Sequence, residues 1–310
     1  MTKTSLLLLG GGKRLSLLDR FQIAANQFGT KLLCYAYEID SKQPITEKAK
    51  VITGKLWADE NVKSDIKSVV VENEIDLIIS NVDPATIIQS HLRSQLNSAS
   101  FCSSLESTER CLSKRLFQEF CEENNLGIIP SAADSTFPIF AKPNVGSASK
   151  GVKLITSSAE LELLGNDGGY VFQKYIIGTE YTVDAYITRN EKICGVSTRV
   201  RTETFAGESI ITETIDDPEI QNKSIEAIQK LKLIGPITLQ FIREEKSNVL
   251  YLMEVNPRFG GGVIASVEAG FNFPLMMLQE LYDEEPDTVF YGKKLIMKRY
   301  FREVFFEAYN

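Results

Sequence analysis

A run of small and basic residues from Lys142 to Val152, with the sequence KPNVGSASKGV, has the chemistry to bind phosphate groups. Small side chains let backbone N–H groups approach phosphate oxygens closely, serine hydroxyls add donors, and lysines add positive charge. A plain hairpin turn is the alternative interpretation. The chain has no GxxxxGK(S/T) pattern, so this run is not a Walker A loop. Its candidate phosphate-binding residues are Lys142, Gly146, Ser147, Ser149, Lys150 and Gly151.

A second group of polar residues, Gln240, Glu254 and Asn256, has the chemistry to bind a divalent cation. Gln240 lies in the predicted strand ITLQFIRE, while Glu254 and Asn256 are two residues apart in LYLMEVN and therefore share one strand face. Carboxylate and carbonyl oxygens suit Mg²⁺. Arg258 follows closely enough to stabilise the charge of a transferring phosphoryl group. A hairpin with polar residues facing water is the alternative, although the apolar neighbours of Glu254 favour a cleft.

Two arginines and a glutamate could contact a substrate. Arg199 and Arg201 are two residues apart in GVSTRVRTETFAGES, so they share a strand face and could hold a carboxylate through paired hydrogen bonds. Glu208 follows a flexible glycine. A solvent-exposed antiparallel strand explains the same pattern equally well.

The elements that must position these residues change in kind near residue 105. Before it, apolar strand-like runs alternate with helical patterns, which predicts a parallel α/β sheet. After it, strand-like runs dominate and predict the antiparallel sheets of an α+β unit. The patterns also predict a turn at 81–84, helices over 109–125 and 265–283, and a closing strand with a tail over 289–310.

Three consecutive glycines, Gly10 to Gly12, follow the first predicted strand. The dinucleotide fingerprint G-x-G-x-x-G starting at Gly10 requires a glycine at position 15, which is Leu15. The failed fingerprint argues against a nicotinamide-dependent oxidoreductase.

Composition argues against several other classes. With a net charge of −7, the 310-residue chain has no electrostatic reason to bind nucleic acid or an anionic membrane surface. Its five cysteines contain no CxxC pair and are interpreted as reduced thiols of a cytosolic protein. The single histidine, His91, excludes most zinc sites and is interpreted as a helix-surface residue.

Four elements in a fixed order give the chain a resemblance to the ATP-grasp superfamily. They are Ser113-Lys114 at the start of a helix, KPNVGSASKGV, QKYIIGTEYTVD, and Gln240 followed by EVNPR. Within the superfamily, roughly residues 105–285 resemble the large subunit of carbamoyl-phosphate synthetase and related carboxylate–amine ligases. An ordered set of four elements is far more specific than a single glycine-rich loop.

The resemblance implies a domain organisation. A Rossmann-like domain preceding the ATP-grasp fold is expected over 1–105, and the ATP-grasp domain over 106–310. The latter is expected to contain a smaller lid-bearing subdomain over 106–176 and a metal- and substrate-binding subdomain over 177–310, both α+β.

The resemblance also implies a role for each matching residue. Lys114 and Lys142 would contact the ATP phosphates, with Lys142 also near the adenine, and the loop from Gly146 to Gly151 would be a mobile lid. Glu180 would hold the ribose hydroxyls. The adenine-binding linker would be Gln173, Lys174, Tyr175 and Ile176. The ligands of Mg²⁺ or Mn²⁺ would be Gln240, Glu254 and Asn256, and Arg258 would face the γ-phosphate and the acyl phosphate.

The chain departs from the common family pattern at two of these positions. Gln173 and Gln240 both stand where many relatives carry an acid. A glutamine at the second position also occurs in sites of the carbamoyl-phosphate synthetase type, which favours that subfamily. The change lowers the negative charge offered to the metal and gives the nucleotide phosphates a larger part in its coordination.

The activity implied by the resemblance is an ATP-dependent ligation. A carboxylate would be activated as an acyl phosphate and transferred to an amine or ammonia, with release of ADP and phosphate. Small-molecule substrates, a cytoplasmic location and a homodimer agree with this expectation. The synthetase large subunit contains two ATP-grasp units and this chain contains one, so synthesis of carbamoyl phosphate by this chain alone is not expected. The alternative is an ATP-binding subunit, or a split synthetase-like component, acting in a larger assembly.

Overall fold

The computed structural model describes residues 2–96, 98–132, 137–146, 150–164, 168–205 and 207–308. In these residues the strands β1 to β13, in chain order, are Thr2–Leu9, Thr30–Glu38, Lys50–Thr53, Leu77–Ser80, Ile139–Pro143, Lys153–Ile155, Tyr170–Lys174, Gly178–Ile187, Ile193–Phe205, Glu208–Ile215, Gly235–Glu244, Leu250–Asn256 and Ile296–Lys298. The α-helices α1 to α9 are Leu15–Phe28, Val62–Glu72, Asp83–Leu92, Leu105–Leu112, Lys114–Glu123, Ser158–Leu164, Pro218–Lys230, Val263–Glu268 and Phe273–Leu281.

The first four strands form a parallel sheet in the order β3-β2-β1-β4. The apolar run Leu6–Leu9 of the central strand is fully buried, as expected of a parallel strand covered on both faces. The predicted Rossmann-like α/β unit is confirmed. The carboxyl ends of β1 and β4 lie side by side, so the loops that start at Gly10 and Asn81 meet at one edge of the sheet.

Two antiparallel sheets follow, as the strand-like runs after residue 105 predicted. One contains three strands in the order β6-β5-β7, and the other contains six in the order β12-β11-β8-β9-β10-β13. The combination of a Rossmann-like sheet with these two sheets is an ATP-grasp fold. The domain boundaries expected at residues 105 and 176 stay predictions.

Two helices predicted as continuous are each interrupted. The predicted helix over 109–125 divides at Ser113, which leaves helical geometry and accepts a hydrogen bond from the N–H of Leu116 (3.5 Å), so it caps α5. The predicted helix over 265–283 divides before Asn272, whose Oδ1 caps α9. A capping side chain competes with the helical backbone for the same donors, which hydrophobic periodicity does not register.

The ends of two other predicted elements differ from expectation. The turn predicted at 81–84 contains the beginning of α3, because Pro84 has no N–H and is tolerated in the first helical turn. Of the closing strand predicted within 289–310, only Ile296–Lys298 is a strand among the described residues, which end at 308.

The parallel sheet shares its hydrophobic core with the C-terminal helices. Phe21 of α1 packs edge-on against Phe259, with ring centroids 6.3 Å apart, and Met277 of α9 belongs to the same cluster. Thr4 of β1 also shares a hydrogen bond of 2.6 Å with Tyr282. This packing holds the carboxyl edge of the parallel sheet against the six-stranded sheet.

Three further expectations concern single residues and the membrane. All five cysteines are buried and have free thiols, and His91 is exposed on α3. No helix in the part of the chain that the structure describes is long and apolar enough to cross a membrane.

Candidate active site

A cleft of about 300 Å³ lies where the carboxyl edge of the parallel sheet meets the other two sheets. Its walls come from all three sheets, for example through Asn81, Lys142 and Glu254. The sequence-predicted residues that line it are Lys114, Lys142, Gly146, Gln173, Arg199, Arg201, Glu208, Gln240, Glu254, Asn256 and Arg258. The fold thus brings together residues that lie far apart along the chain.

The three predicted metal ligands touch one another at the end of the six-stranded sheet. Gln240 of β11 pairs directly with Glu254 of β12, and the two-residue period of the strand puts Asn256 on the same face. Glu254 Oε1 accepts hydrogen bonds from Gln240 Nε2 (2.7 Å) and Asn256 Nδ2 (3.0 Å). Two amides therefore hold one carboxylate in place.

This donor set fits a divalent cation that takes its remaining ligands from phosphates. Gln240 Oε1 accepts from Arg201 (2.9 Å) and Asn256 Oδ1 accepts from Arg258 (3.2 Å), whereas Glu254 Oε2 has no partner among the described residues. One or two carboxylates are what Mg²⁺ commonly takes from a protein when it is bound with nucleotide phosphates. Within the described ranges, no group of three or more His, Cys, Asp or Glu could hold a metal by itself.

Arg258 connects the three predicted metal ligands, Gln240, Glu254 and Asn256 (the metal-ligand cluster), to the parallel sheet. Its Nε donates to Asp83 Oδ1 (2.7 Å), and its Nη2 lies 2.6 Å from the same oxygen. Asp83 is the first residue of α3, so the sequence interpretation of 81–84 as a turn missed this partner. The ion pair fixes the guanidinium of Arg258 at the centre of the cleft.

Two lysines face the carboxylate of Glu254 from the opposite wall. Lys142, at the end of β5, is only 8% exposed, and Lys114, at the start of α5, donates from Nζ to the carbonyl of Gly146 (2.8 Å). Burial lowers the pKa of both amino groups, and the nearby charge of Glu254 raises it in part. Two desolvated cations that share one carboxylate form a favourable place for a polyanion.

The amide of Gln173 has an orientation set by its neighbours. Gln118 donates from Nε2 to the carbonyl of Ile129 (3.0 Å) and to Glu122 (2.6 Å), so Gln118 Oε1 is left to accept from Gln173 Nε2 (2.7 Å). The carbonyl oxygen of Gln173 then points elsewhere, is buried, and has no hydrogen-bond partner among the described residues. Gln118 was not among the predicted residues, because a helix glutamine carries no sequence signal of this role.

The rest of the predicted linker lies outside the lining of the cleft. Lys174 ends β7, donates its backbone N–H to Pro130 (2.9 Å), and forms an ion pair with Glu244 (2.8 Å). Tyr175 is exposed and Ile176 is buried in a small apolar cluster. The backbone groups predicted to bind adenine belong to the end of β7 and to the short segment that joins it to β8.

Only part of the predicted lid belongs to the described residues. Ser147 and Ser149 lie outside them. Gly146 and Gly151 have φ angles of +134° and +74°, a region that favours glycine, and Lys150 is exposed. The predicted lid therefore begins and ends at a glycine whose backbone angle other residues rarely adopt.

Arg199 of β9 is buried and Arg201 is half-buried, so the solvent-exposed strand considered above is wrong for these two side chains. Arg199 is 2% exposed and donates to Asp184 Oδ2 (2.8 Å) and to Ser209 (3.3 Å). Arg201 bridges the predicted ribose residue Glu180 (2.8 Å) and the amide of Gln240. Arg199 is engaged in a buried ion pair, whereas Arg201 links Glu180 to the predicted metal ligand Gln240.

Two residues of the first unit, Arg14 and Asn81, line the cleft and were not predicted. Arg14 follows the glycines after β1, and its Nη2 lies 3.9 Å from Glu208 Oε1. Asn81 follows β4 and is 2% exposed. Their position at the carboxyl edge of a parallel sheet was the available signal, since ligands of such sheets bind there.

A family model matches the C-terminal part of the chain. Residues 169–301 match a family model described as "ATP-grasp in the biosynthetic pathway with Ter operon". The match extends from β7 to β13 and includes the metal-ligand cluster. No curated protein matches the sequence.

Solved structures resemble the chain over most of its length. N5-carboxyaminoimidazole synthetase from Staphylococcus aureus, complexed with ADP, has 18% identity and a TM-score of 0.74, covering 96% of this chain and 82% of that one. L-amino acid ligase from Bacillus licheniformis has 17% identity and a TM-score of 0.70, covering 91% and 74%. The biotin carboxylase domain of 2-oxoglutarate carboxylase from Hydrogenobacter thermophilus, in complex with MgADP and bicarbonate, has 14% identity and a TM-score of 0.75, covering 94% and 73%. At these identities the likeness shows a shared fold.

Proposed function

Because this chain has the ATP-grasp fold, we propose that it is an ATP-dependent ligase that activates a carboxylate as an acyl phosphate and joins it to an amine. One observation carries the proposal: Lys114, Lys142, Glu254 and Arg258, from four separate segments, converge on one cleft. Cations arranged around a single carboxylate that is held in place suit a nucleoside triphosphate with its metal ion. The structural relatives named as a ligase and as a synthetase complexed with ADP support the same reaction class.

The adenine end of the nucleotide would be recognised at β7. The unpartnered carbonyl oxygen of Gln173 is suited to accept a hydrogen bond from an exocyclic amino group, and Gln118 holds it in that orientation. Backbone groups of the linker Gln173–Ile176 would complete the contact, and Glu180 would hold the ribose. A glutamine can thus replace the acid that many relatives carry here, because only an acceptor is needed.

The phosphate end would lie between the lysines and the metal-ligand cluster. Lys114 and Lys142 would contact the phosphates, and the loop from Gly146 to Gly151, with Ser147, Ser149 and Lys150, would cover them. Glu254 would hold Mg²⁺ or Mn²⁺, with Gln240 and Asn256 beside it. When bound, the cation supplies charge neutralisation at the β- and γ-phosphates.

The chemistry would proceed in two steps. A carboxylate oxygen of the substrate attacks the γ-phosphorus while the bond to the β–γ bridging oxygen breaks, so that ADP leaves and an acyl phosphate forms. Arg258 and Lys142 stabilise the charge on the transferring group. The amine then attacks the acyl carbon and phosphate leaves. A closed cleft protects the acyl phosphate from water.

Arg258→Gln is the variant that tests whether Arg258 stabilises the charge on the transferring phosphoryl group. The variant keeps a polar side chain but shortens it and removes its charge and most of its N–H donors, so ADP release with a productive acid–amine pair should fall by about 100-fold or more. The measurement is ADP release across a panel of amino acids, small carboxylates and ammonia. Arg302→Gln is the matched control, since Arg302 is 66% exposed and pairs only with Glu47 within the described ranges.

The outcomes separate the alternatives. Full turnover in Arg258→Gln would remove Arg258 from the reaction. Binding of ATP without ADP release across the whole panel would instead identify the chain as an ATP-binding module of a larger assembly.

A further inference from the structure

Three arginines meet two carboxylates at the end of the cleft that borders the parallel sheet. The arginines are Arg14, Arg258 and Arg299, and the carboxylates are Asp83 and Glu208. Three positive and two negative charges leave an excess of one positive charge in this group. A partly buried group with such an excess favours an added anion.

Arg14 is the arginine whose charge is least compensated. Arg258 is held by Asp83 at 2.6 Å, and Arg299 forms an ion pair with Glu208 and donates to the carbonyl of Gly261. Arg14 approaches the already engaged Glu208 only to 3.9 Å, and no other carboxylate of the described chain lies within ion-pair distance. Burial lowers the pKa of Arg14, Glu208 raises it, and Arg258 and Arg299 lower it again.

Asn81 supplies an independent observation in the same cleft. Its side chain is 2% exposed, yet neither Oδ1 nor Nδ2 has a hydrogen-bond partner among the described residues. A buried amide with both groups unsatisfied is costly unless a ligand or water pairs with it. Asn81 and Arg14 both line the cleft.

We propose that Arg14 and Asn81 form an anion subsite that binds a second anionic group of the acid substrate, a carboxylate or a phosphate, while its reacting carboxylate lies at Arg258. The inference rests on the proposed function and adds the class of acid: one with negative charge at both ends. Arg258 lies between the two positions, because its guanidinium contacts Asn256 of the metal-ligand cluster through Nη2 and Asp83, on the side of the parallel sheet, through both Nε and Nη2. Asn81 Nδ2 would donate to the anion beside the guanidinium of Arg14, and charge-assisted bonds of this kind are the strong ones.

The test compares three acids by isothermal titration of the full chain. Succinate and phosphoglycolate carry an anion at both ends, whereas succinamate has nearly the shape of succinate with one neutral end. Succinate or phosphoglycolate is expected to bind about tenfold to a hundredfold more tightly than succinamate. Preference between succinate and phosphoglycolate tells whether the second group is a carboxylate or a phosphate. Equal affinity for all three, or no measurable binding of either dianion, overturns the subsite.

Variants assign the preference to the two residues. Arg14→Gln and Asn81→Leu are each expected to remove the preference for the dianions, and Arg14→Lys to keep part of it. Arg302→Gln is expected to leave it unchanged. A dianion preference that persists in both Arg14→Gln and Asn81→Leu, with their thermal unfolding midpoints near that of the parent, contradicts the proposal.

A parallel titration with a non-hydrolysable ATP analogue distinguishes this inference from the proposed function. Binding of the analogue without any dianion preference overturns the subsite alone. No binding of the analogue to the parent protein rejects the proposed function and, with it, the subsite.

Discussion

Glu38 lies at the end of β2, at the same edge of the parallel sheet as Arg14 and Asn81, and it is 8% exposed. Its Oε1 has no hydrogen-bond partner among the described residues. Burial raises the pKa of Glu38 to about 7, although the backbone N–H groups of Gly11 and Gly12 act in the opposite direction.

Glu38→Gln should therefore change how stability depends on pH. The folded protein holds the proton of Glu38 up to about pH 7, whereas the unfolded chain loses it near the ordinary value of 4.5, so the stability contributed by protonated Glu38 is lost as pH rises between these values. The loss amounts to at most about 3 kcal/mol. Urea unfolding at pH 5 and pH 8 should show a smaller difference for Glu38→Gln than for the parent.

A surface substitution provides the control for this measurement. Glu72→Gln removes one exposed carboxylate of α2 and should keep the pH difference of the parent. An unchanged difference in Glu38→Gln would contradict the raised pKa.

At the scale of elements, the interruption between α4 and α5 positions Lys114. Ser113 caps α5 and also contacts Asn144 Oδ1 (3.2 Å), so the helix start and the beginning of the predicted lid are tied together. Arg115 reinforces the link by donating its backbone N–H to the same oxygen (2.9 Å). A continuous helix through Ser113 would direct Lys114 differently.

Ser113→Ala should therefore affect both stability and nucleotide binding. Loss of the cap should lower the free energy of unfolding by about 1 kcal/mol. Misplacement of Lys114 should weaken binding of a non-hydrolysable ATP analogue about fivefold, which corresponds to about 1 kcal/mol. The measurements are urea unfolding and isothermal titration.

Ser104→Ala is the matched control, because Ser104 caps α4 in the same way (3.1 Å from the N–H of Ser107) and does not line the cleft. It should lose similar stability without weaker nucleotide binding. Equal losses of affinity in both variants would show that the effect on the nucleotide is not specific to the start of α5.

At the scale of the whole molecule, the parallel sheet and the C-terminal helices form one core. Phe273 of α9 is fully buried, and Leu17 and Leu18 of α1 belong to the same cluster. The single tryptophan, Trp57, lies in the first unit, where it packs against Tyr37 with ring centroids 5.6 Å apart. Trp57 fluorescence therefore reports unfolding of the first unit.

Phe273→Ala should destabilise the first unit although the substitution is in a C-terminal helix. Truncation of a buried phenylalanine costs about 3 to 5 kcal/mol. The unfolding transitions followed by Trp57 fluorescence and by far-ultraviolet circular dichroism should shift together. Phe305→Ala, at a side chain that is 90% exposed, should shift neither. An unmoved Trp57 transition in Phe273→Ala would mean that the first unit unfolds independently.

Local sequence patterns were sufficient to predict the strands and helices of the parallel sheet and to predict which polar side chains share one face of a strand. The two-residue period of a strand put Glu254 and Asn256 on one face, and alternating apolar runs and helical patterns predicted the parallel sheet. The ordered elements from Ser113-Lys114 to EVNPR predicted the ATP-grasp fold. The strand period and the apolar patterns depend on residues that are close in sequence, so they can be read from the sequence directly, whereas the ATP-grasp fold was predicted from the resemblance to that superfamily.

The partners of those residues depended on how the three sheets pack. Arg258 and Asp83 are 175 residues apart, and Gln118 meets Gln173 across 55 residues. Arg14 and Asn81 reach the cleft only because the core shared with α8 and α9 holds the parallel sheet against the six-stranded sheet. Side-chain contacts between sheets arise from tertiary packing, and no local period encodes which polar groups that packing leaves buried and unpaired.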